Sequence, residues 1–148
     1  MIKGLHHTNI VVSDMEQTKE FYTKILGLEI SFETLIEDAE FSRGAGFQDT
    51  KVSATFFSVP NSSILIETFQ YLTPNGRSIP SDSKANDKGF GHICFEVSDI
   101  EQAHRNLREK GVEFASSPVT MDNGVRWCYF YGPDKERLEL LELPDSEK

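Results

Sequence analysis

Apolar and polar residues alternate from Leu5 to Ser13, with Ile10 and Val12 on one side and His7, Asn9 and Val11 on the other, the period of a strand covered on one face. At Asp14 the period changes. Met15, Thr18, Phe21, Tyr22, Ile25 and Leu26 recur at helical spacing behind an Asp suited to capping the first turn, and Gly27 closes the run. Leu28 to Ile36 is rich in β-formers and reads as a second strand, whereas Glu37 to Thr50 is polar, holds Gly44 and Gly46, and reads as a long loop. Lys51 to Val59 and Ser63 to Tyr71 flank the turn signal Pro60-Asn61-Ser62 and predict a hairpin.

After a polar stretch from Thr73 to Lys88, with Pro74, Gly76 and Pro80 and only Ile79 as an aliphatic anchor, the same order of signals returns. His92 to Val97 alternates, and Asp99 stands where it can cap a helix with Ile100, Ala103, His104 and Leu107 on one stripe, ended by Gly111. A short strand at Val112 to Ala115 and a longer one at Gly124 to Tyr131 follow. The turn Gly132-Pro133-Asp134-Lys135 leads into a last strand at Arg137 to Leu143, and Ser146 to Lys148 is expected to fray. The predicted class is α+β: two tandem β-α-β-β-β modules forming a curved mixed sheet. Module one spans 1–72, a linker 73–88 and module two 89–148, within one domain of 1–148.

The two modules also share residues. His7 and His92 each come seven positions before an Asp, a Val-Ser pair precedes Asp14 and Asp99, and Glu16-Gln17 matches Glu101-Gln102. This is an internal repeat, so a residue type kept in both copies is a candidate for a shared site. Each copy further ends in a strand carrying a Glu: Ile64-Leu65-Ile66-Glu67-Thr68 and Arg137-Leu138-Glu139-Leu140-Leu141. The aliphatic neighbours of each His and Glu belong to the opposite face, which places His7, Glu67, His92 and Glu139 on the faces away from the helices. Carboxylates buried in a sheet are costly without a compensating cation. Two imidazoles and two carboxylates suit one divalent ion such as Ni, Zn, Co, Mn or Fe, and the expected architecture is a metal-binding cup.

Other candidates carry less. His6 is expected to face away from His7, and His104 to sit at the surface or at the boundary of its helix. Cys94 and Cys128 lie in predicted strands and read as small buried hydrophobes, not a disulfide. Phe47, Phe56, Phe57, Phe69, Trp127, Tyr129 and Tyr131 could wall an apolar pocket but read as core.

Composition narrows the function classes. A hydrophobic content of 38% supports a buried core, and a net charge of −9 spread along the chain disfavours nucleic acid and anionic membrane as partners. No apolar run has bilayer length and no signal pattern opens the chain, so a cytoplasmic location is expected by default.

His7 ahead of Val12-Ser13-Asp14, the run Glu20-Phe21-Tyr22-Thr23-Lys24-Ile25-Leu26-Gly27-Leu28, Gly91-His92-Ile93, and Gly132-Pro133-Asp134 ahead of Leu138-Glu139-Leu140 resemble the vicinal oxygen chelate superfamily. That family includes glyoxalase I, methylmalonyl-CoA epimerase, extradiol dioxygenases, fosfomycin-resistance enzymes and non-catalytic bleomycin-binding proteins. The His, Glu, His, Glu order at 7, 67, 92 and 139 resembles the metal set of glyoxalase I, a lactoylglutathione lyase; the epimerase typically has Gln at the second position. The resemblance implies a metal-dependent lyase or isomerase that moves a proton through a metal-chelated enediolate on a small-molecule substrate, with an epimerase, an extradiol-type dioxygenase or a non-catalytic bleomycin-resistance-like binding protein as the alternatives. It implies Glu139 as general base, Glu67 as second carboxylate, and a homodimer. Where bacterial glyoxalase I has an Arg four residues after the first His, this chain has Val11, so the resemblance does not extend to that glutathione contact.

Overall fold

Asp14 and Asp99 each end a strand and start a helix. Their side chains accept hydrogen bonds from the backbone N–H groups of Gln17 and Gln102, at 3.0 and 2.9 Å, satisfying donors that a first helical turn leaves unpaired. The helices they start are α1 (Met15–Glu20), which runs on as a π-helical turn over Phe21–Ile25, and α3 (Ile100–Glu109). Gly27 follows the first at φ 80°, a left-handed conformation that suits a residue without Cβ.

The computed structural model describes residues 1–144 and divides into two units, Met1–Ser78 and Ile79–Lys148. The first holds β1 (His7–Val11), β2 (Glu29–Ile36), β3 (Lys51–Ser58) and β4 (Leu65–Thr73), in the spatial order β1-β4-β3-β2. The second holds β5 (Ile93–Glu96), β6 (Val119–Thr120), β7 (Arg126–Tyr131) and β8 (Arg137–Glu142), in the order β5-β8-β7-β6. In each, the first strand pairs parallel with the last and the other neighbours are antiparallel. The α+β class and the repeated module order thus stand, with the strands organised as two four-stranded mixed sheets.

One face of each sheet covers its helix. In the first unit Tyr22 stacks on Phe57 with ring centroids 5.2 Å apart, and Thr18, Thr55, Ile66 and Thr68 are buried with them. In the second, Ile100, Cys128, Phe130 and Leu138 are fully buried. Burying an aliphatic or aromatic side chain of this size contributes about 1.5–3 kcal/mol, so these faces hold each sheet to its helix. The opposite faces carry Glu67 and Glu139, each beside an aromatic residue, Phe56 or Tyr129.

Four expectations need correction. The stretch 37–50 is not all loop: Ala39–Ala45 forms a helix, α2, capped by the Asp38 side chain on Phe41 N–H at 2.9 Å and closed by Gly46 at φ 78°. Val112 to Ala115 makes only a single bridge, Phe114 to Phe130, and regular pairing with β7 comes at β6, beyond Pro118, whose missing N–H interrupts the ladder. His104 is buried, its ring centroid 4.4 Å from that of Phe114, because the α3 stripe it belongs to faces the sheet. Cys94 is exposed, being on the face of β5 away from α3, while Cys128 is buried and both are free thiols. The fraying expected for Ser146 to Lys148 lies outside the described residues. No helix among the described residues is long and apolar enough to cross a membrane.

Candidate metal centre

On β1 the residues His7, Asn9 and Val11 are exposed while Thr8 and Ile10 are half-buried, as alternation requires. The parallel register sets Asn9 opposite Glu67, and β3 sets Phe56 on the other side of Glu67. His7 Nε2 lies 3.4 Å from Glu67 Oε2. The same oxygen accepts a hydrogen bond from Asn9 Nδ2 at 2.8 Å. Glu67 is only 7% exposed, so these two groups are what compensates a buried carboxylate. The other nitrogen of His7, Nδ1, is 2.9 Å from His6 Nδ1, a contact in which one imidazole donates and the other accepts. His6 therefore does not simply face away.

The second unit repeats the arrangement. His92 stands immediately before β5, with Nε2 2.8 Å from Glu139 Oε2. The parallel register sets Cys94 opposite Glu139, and β7 sets Tyr129 on its other side, 5.2 Å from the His92 ring. Desolvation, and after it the negative charge of Glu139, push the Cys94 thiol up to about 12. It therefore stays protonated and can only donate weakly to Glu139.

His7, Asn9, Phe56 and Glu67 in one unit thus correspond to His92, Cys94, Tyr129 and Glu139 in the other. The structure joins His7 with Glu67 and His92 with Glu139. Among the described residues, no three His, Cys, Asp or Glu side chains stand together as a metal-holding group. Each unit contributes one imidazole and one carboxylate aimed at each other. As a donor set, neutral imidazole Nε2 and carboxylate oxygen fit a borderline divalent ion, and a neighbour on the outer nitrogen of such an imidazole, as His6 is on His7 Nδ1, is usual at metal sites. Asn9 and Cys94 were not placed at the site from the sequence, where Cys94 read as a buried hydrophobe. Their position two residues after each His, on the same face, is the signal that could have found them.

A family model described as the Glyoxalase/Bleomycin resistance protein/Dioxygenase superfamily matches residues 4–140. The chain is 32% identical to a 2-epi-5-epi-valiolone epimerase from Actinomyces sp., over 95% of this chain and 80% of that protein. It is also 32% identical to a lactoylglutathione lyase from Schizosaccharomyces pombe, over 97% of this chain but 48% of that longer protein. Among solved structures, a glyoxalase family protein from Bacillus cereus superposes with a TM-score of 0.87 at 23% identity, covering 96% of this chain and 95% of the other.

Proposed function

Since the chain belongs to the glyoxalase/bleomycin resistance protein/dioxygenase superfamily, we propose that it is a metal-dependent lyase or isomerase that moves a proton on a small substrate with two adjacent oxygens. The observation that carries the reading is the duplicated pair, His7 with Glu67 and His92 with Glu139, at corresponding places in both units. Each pair would offer a divalent ion one imidazole and one carboxylate. When bound, the ion supplies Lewis-acid stabilisation of the negative charge that develops on the substrate oxygens.

The chain's own residues divide the remaining work. His7 and His92 hold position through Nε2. Glu139 is the general base, taking the carbon-bound proton on a carboxylate oxygen and returning it to the neighbouring carbon; inversion at one carbon would instead need the second carboxylate, Glu67, to supply a proton from the other face. The strand neighbour of Glu139 is the weak donor Cys94, where Glu67 has the Asn9 amide. Glu67, held by Asn9, is the fixed second carboxylate. The aromatic residues Phe56 and Tyr129 beside the two carboxylates exclude water from them.

An epimerase would use the same proton removal with return to the opposite face. Val11, exposed on the His7 face where a glutathione-binding Arg would stand, favours a substrate without that thiol conjugate, and the similarity to the valiolone epimerase points the same way.

The test is elemental analysis of untagged, dialysed protein beside His92→Ala, followed by solvent deuterium exchange into hemithioacetals and acyl thioesters. About one divalent ion per chain, lost in the variant, is the expected result. Wild type that stays metal-free after reloading with Ni, Zn, Co, Mn and Fe(II) would overturn the reading in favour of a ligand-sequestering protein.

A further inference from the structure

Cationic side chains occur on the strands at Lys51 in β3, Arg126 in β7 and Arg137 in β8. Lys51 pairs with Glu37, and Arg126 pairs with Glu101 and Glu142. Among the described residues Arg137 has no such carboxylate partner: its Nη1 reaches the Gly91 carbonyl at 3.5 Å, and its guanidinium carbon lies 5.8 Å from the centre of the Tyr129 ring.

The place of Arg137 matters as much as its missing partner. Arg137 and Glu139 alternate onto one face of β8, and β7 sets Tyr131 and Tyr129 opposite them. Tyr129 is the residue that also touches the His92 ring. Two positions along a strand span about 7 Å, a distance that a small molecule covers in a few bonds. One long carbonyl contact leaves most of the guanidinium N–H donors for another acceptor, and the cation–π contact with Tyr129 keeps the group on that side of the strand. An anionic substrate approaching a chain of net charge −9, at a face carrying Glu139, needs a local cation.

We infer that Arg137 binds an anionic group of the substrate, a carboxylate or a phosphoryl group, while Glu139 acts on the carbon a few bonds away. Arg137 thereby selects acids over neutral analogues. The inference deepens the proposed proton-transfer reading and rests on it for the identity of the reacting centre.

The test uses the full chain loaded with Mn(II) and three chelators with the same hydroxamate oxygens, titrated by calorimetry. Acetohydroxamate carries no further charge, N-hydroxysuccinamate adds a carboxylate, and phosphonoacetohydroxamate adds a phosphonate. Wild type should bind one charged chelator at least about tenfold more tightly than acetohydroxamate, and which one gains identifies the anion. Arg137→Met and Arg137→Gln should cut that gain to about twofold or less, with metal content and acetohydroxamate affinity near wild type. Arg137→Lys should restore part of the gain. A gain that persists in Arg137→Met, or no gain in wild type, overturns the inference.

If none of the chelators binds the Mn-treated protein better than metal-free protein, the His–Glu reading fails instead. Metal-free wild type and Arg137→Met titrated with inorganic phosphate and with succinate then decide on Arg137. Anion binding lost in the variant supports its role, and binding that is absent from wild type or retained in the variant overturns it.

Discussion

Asn9 donates from Nδ2 to Glu67 Oε2 at 2.8 Å, and the place equivalent to Asn9 in the second unit, opposite Glu139, belongs to Cys94. The repeat keeps the His and the Glu and changes the residue that stands beside the carboxylate. An amide makes an ordinary hydrogen bond and a thiol a weak one, so the two carboxylates are held by different groups, Glu67 chiefly by Asn9 and Glu139 chiefly by His92 at 2.8 Å. That asymmetry fits a division of labour between the two carboxylates.

Replacing Asn9 by Ala should therefore destabilise the fold more than replacing Cys94 by Ala. Loss of the amide leaves Glu67 short of a donor in a buried position, at a cost of about 1–3 kcal/mol, whereas the thiol's loss should stay below about 1 kcal/mol. Urea denaturation of both variants measures the difference. Equal losses would contradict the asymmetry.

Glu139→Gln should reduce solvent proton exchange into substrate by at least about 100-fold, the usual scale for removing a positioned general base. The amide oxygen can still act as a ligand, so much of the metal should remain. Mass spectrometry of exchanged substrate together with elemental analysis separates the two effects, and full activity in this variant would remove Glu139 from the mechanism.

His104 predicts a pH dependence of stability. Its folded-state titration is lowered, first by burial and then by the positive charges of Arg108 and Arg105, with Glu101 acting the other way. A histidine whose folded value lies below its unfolded value of about 6.5 is protonated preferentially in the unfolded chain. Its neutral packing against Phe114 is thus fully available above that pH, and stability falls as the pH drops through it. Denaturation midpoints between pH 8 and 5 should fall further for wild type than for His104→Phe; parallel slopes would show that another group is responsible.

Gly132 offers a steric prediction. A Cβ there would lie 1.9 Å from Glu136 Oε1 and 2.2 Å from its Cδ, and Glu136 is a buried residue whose Oε2 accepts the Asp134 N–H at 2.9 Å. Gly132→Ala must push the carboxylate off that N–H, for an expected loss of about 1–3 kcal/mol. In a Glu136→Ala background the same substitution should cost much less, and a thermal-melt mutant cycle reads the coupling.

Local rules were enough for much of this protein. Alternation around His7 and Glu67 determined which face each side chain takes, Asp14 and Asp99 determined where two helices begin, and the repeat determined that one module order occurs twice. Each of these depends on residues a few positions apart. The helix Ala39–Ala45 does not: it is short, holds Gly44, and is stabilised by contacts such as Phe41 against Phe69, which its own sequence does not announce. His104 looked like a boundary residue until Phe114 closed over it. The partners of the two carboxylates were likewise decided by tertiary structure. Alternation says that Asn9 and Glu67 each face away from a helix, but only the parallel register between β1 and β4, joining residues 58 apart in the chain, sets them opposite one another. Arg137 is the same case: its type is read from the sequence, whereas its lack of an ionic partner among the described residues follows from which carboxylates the folded sheet brings within reach.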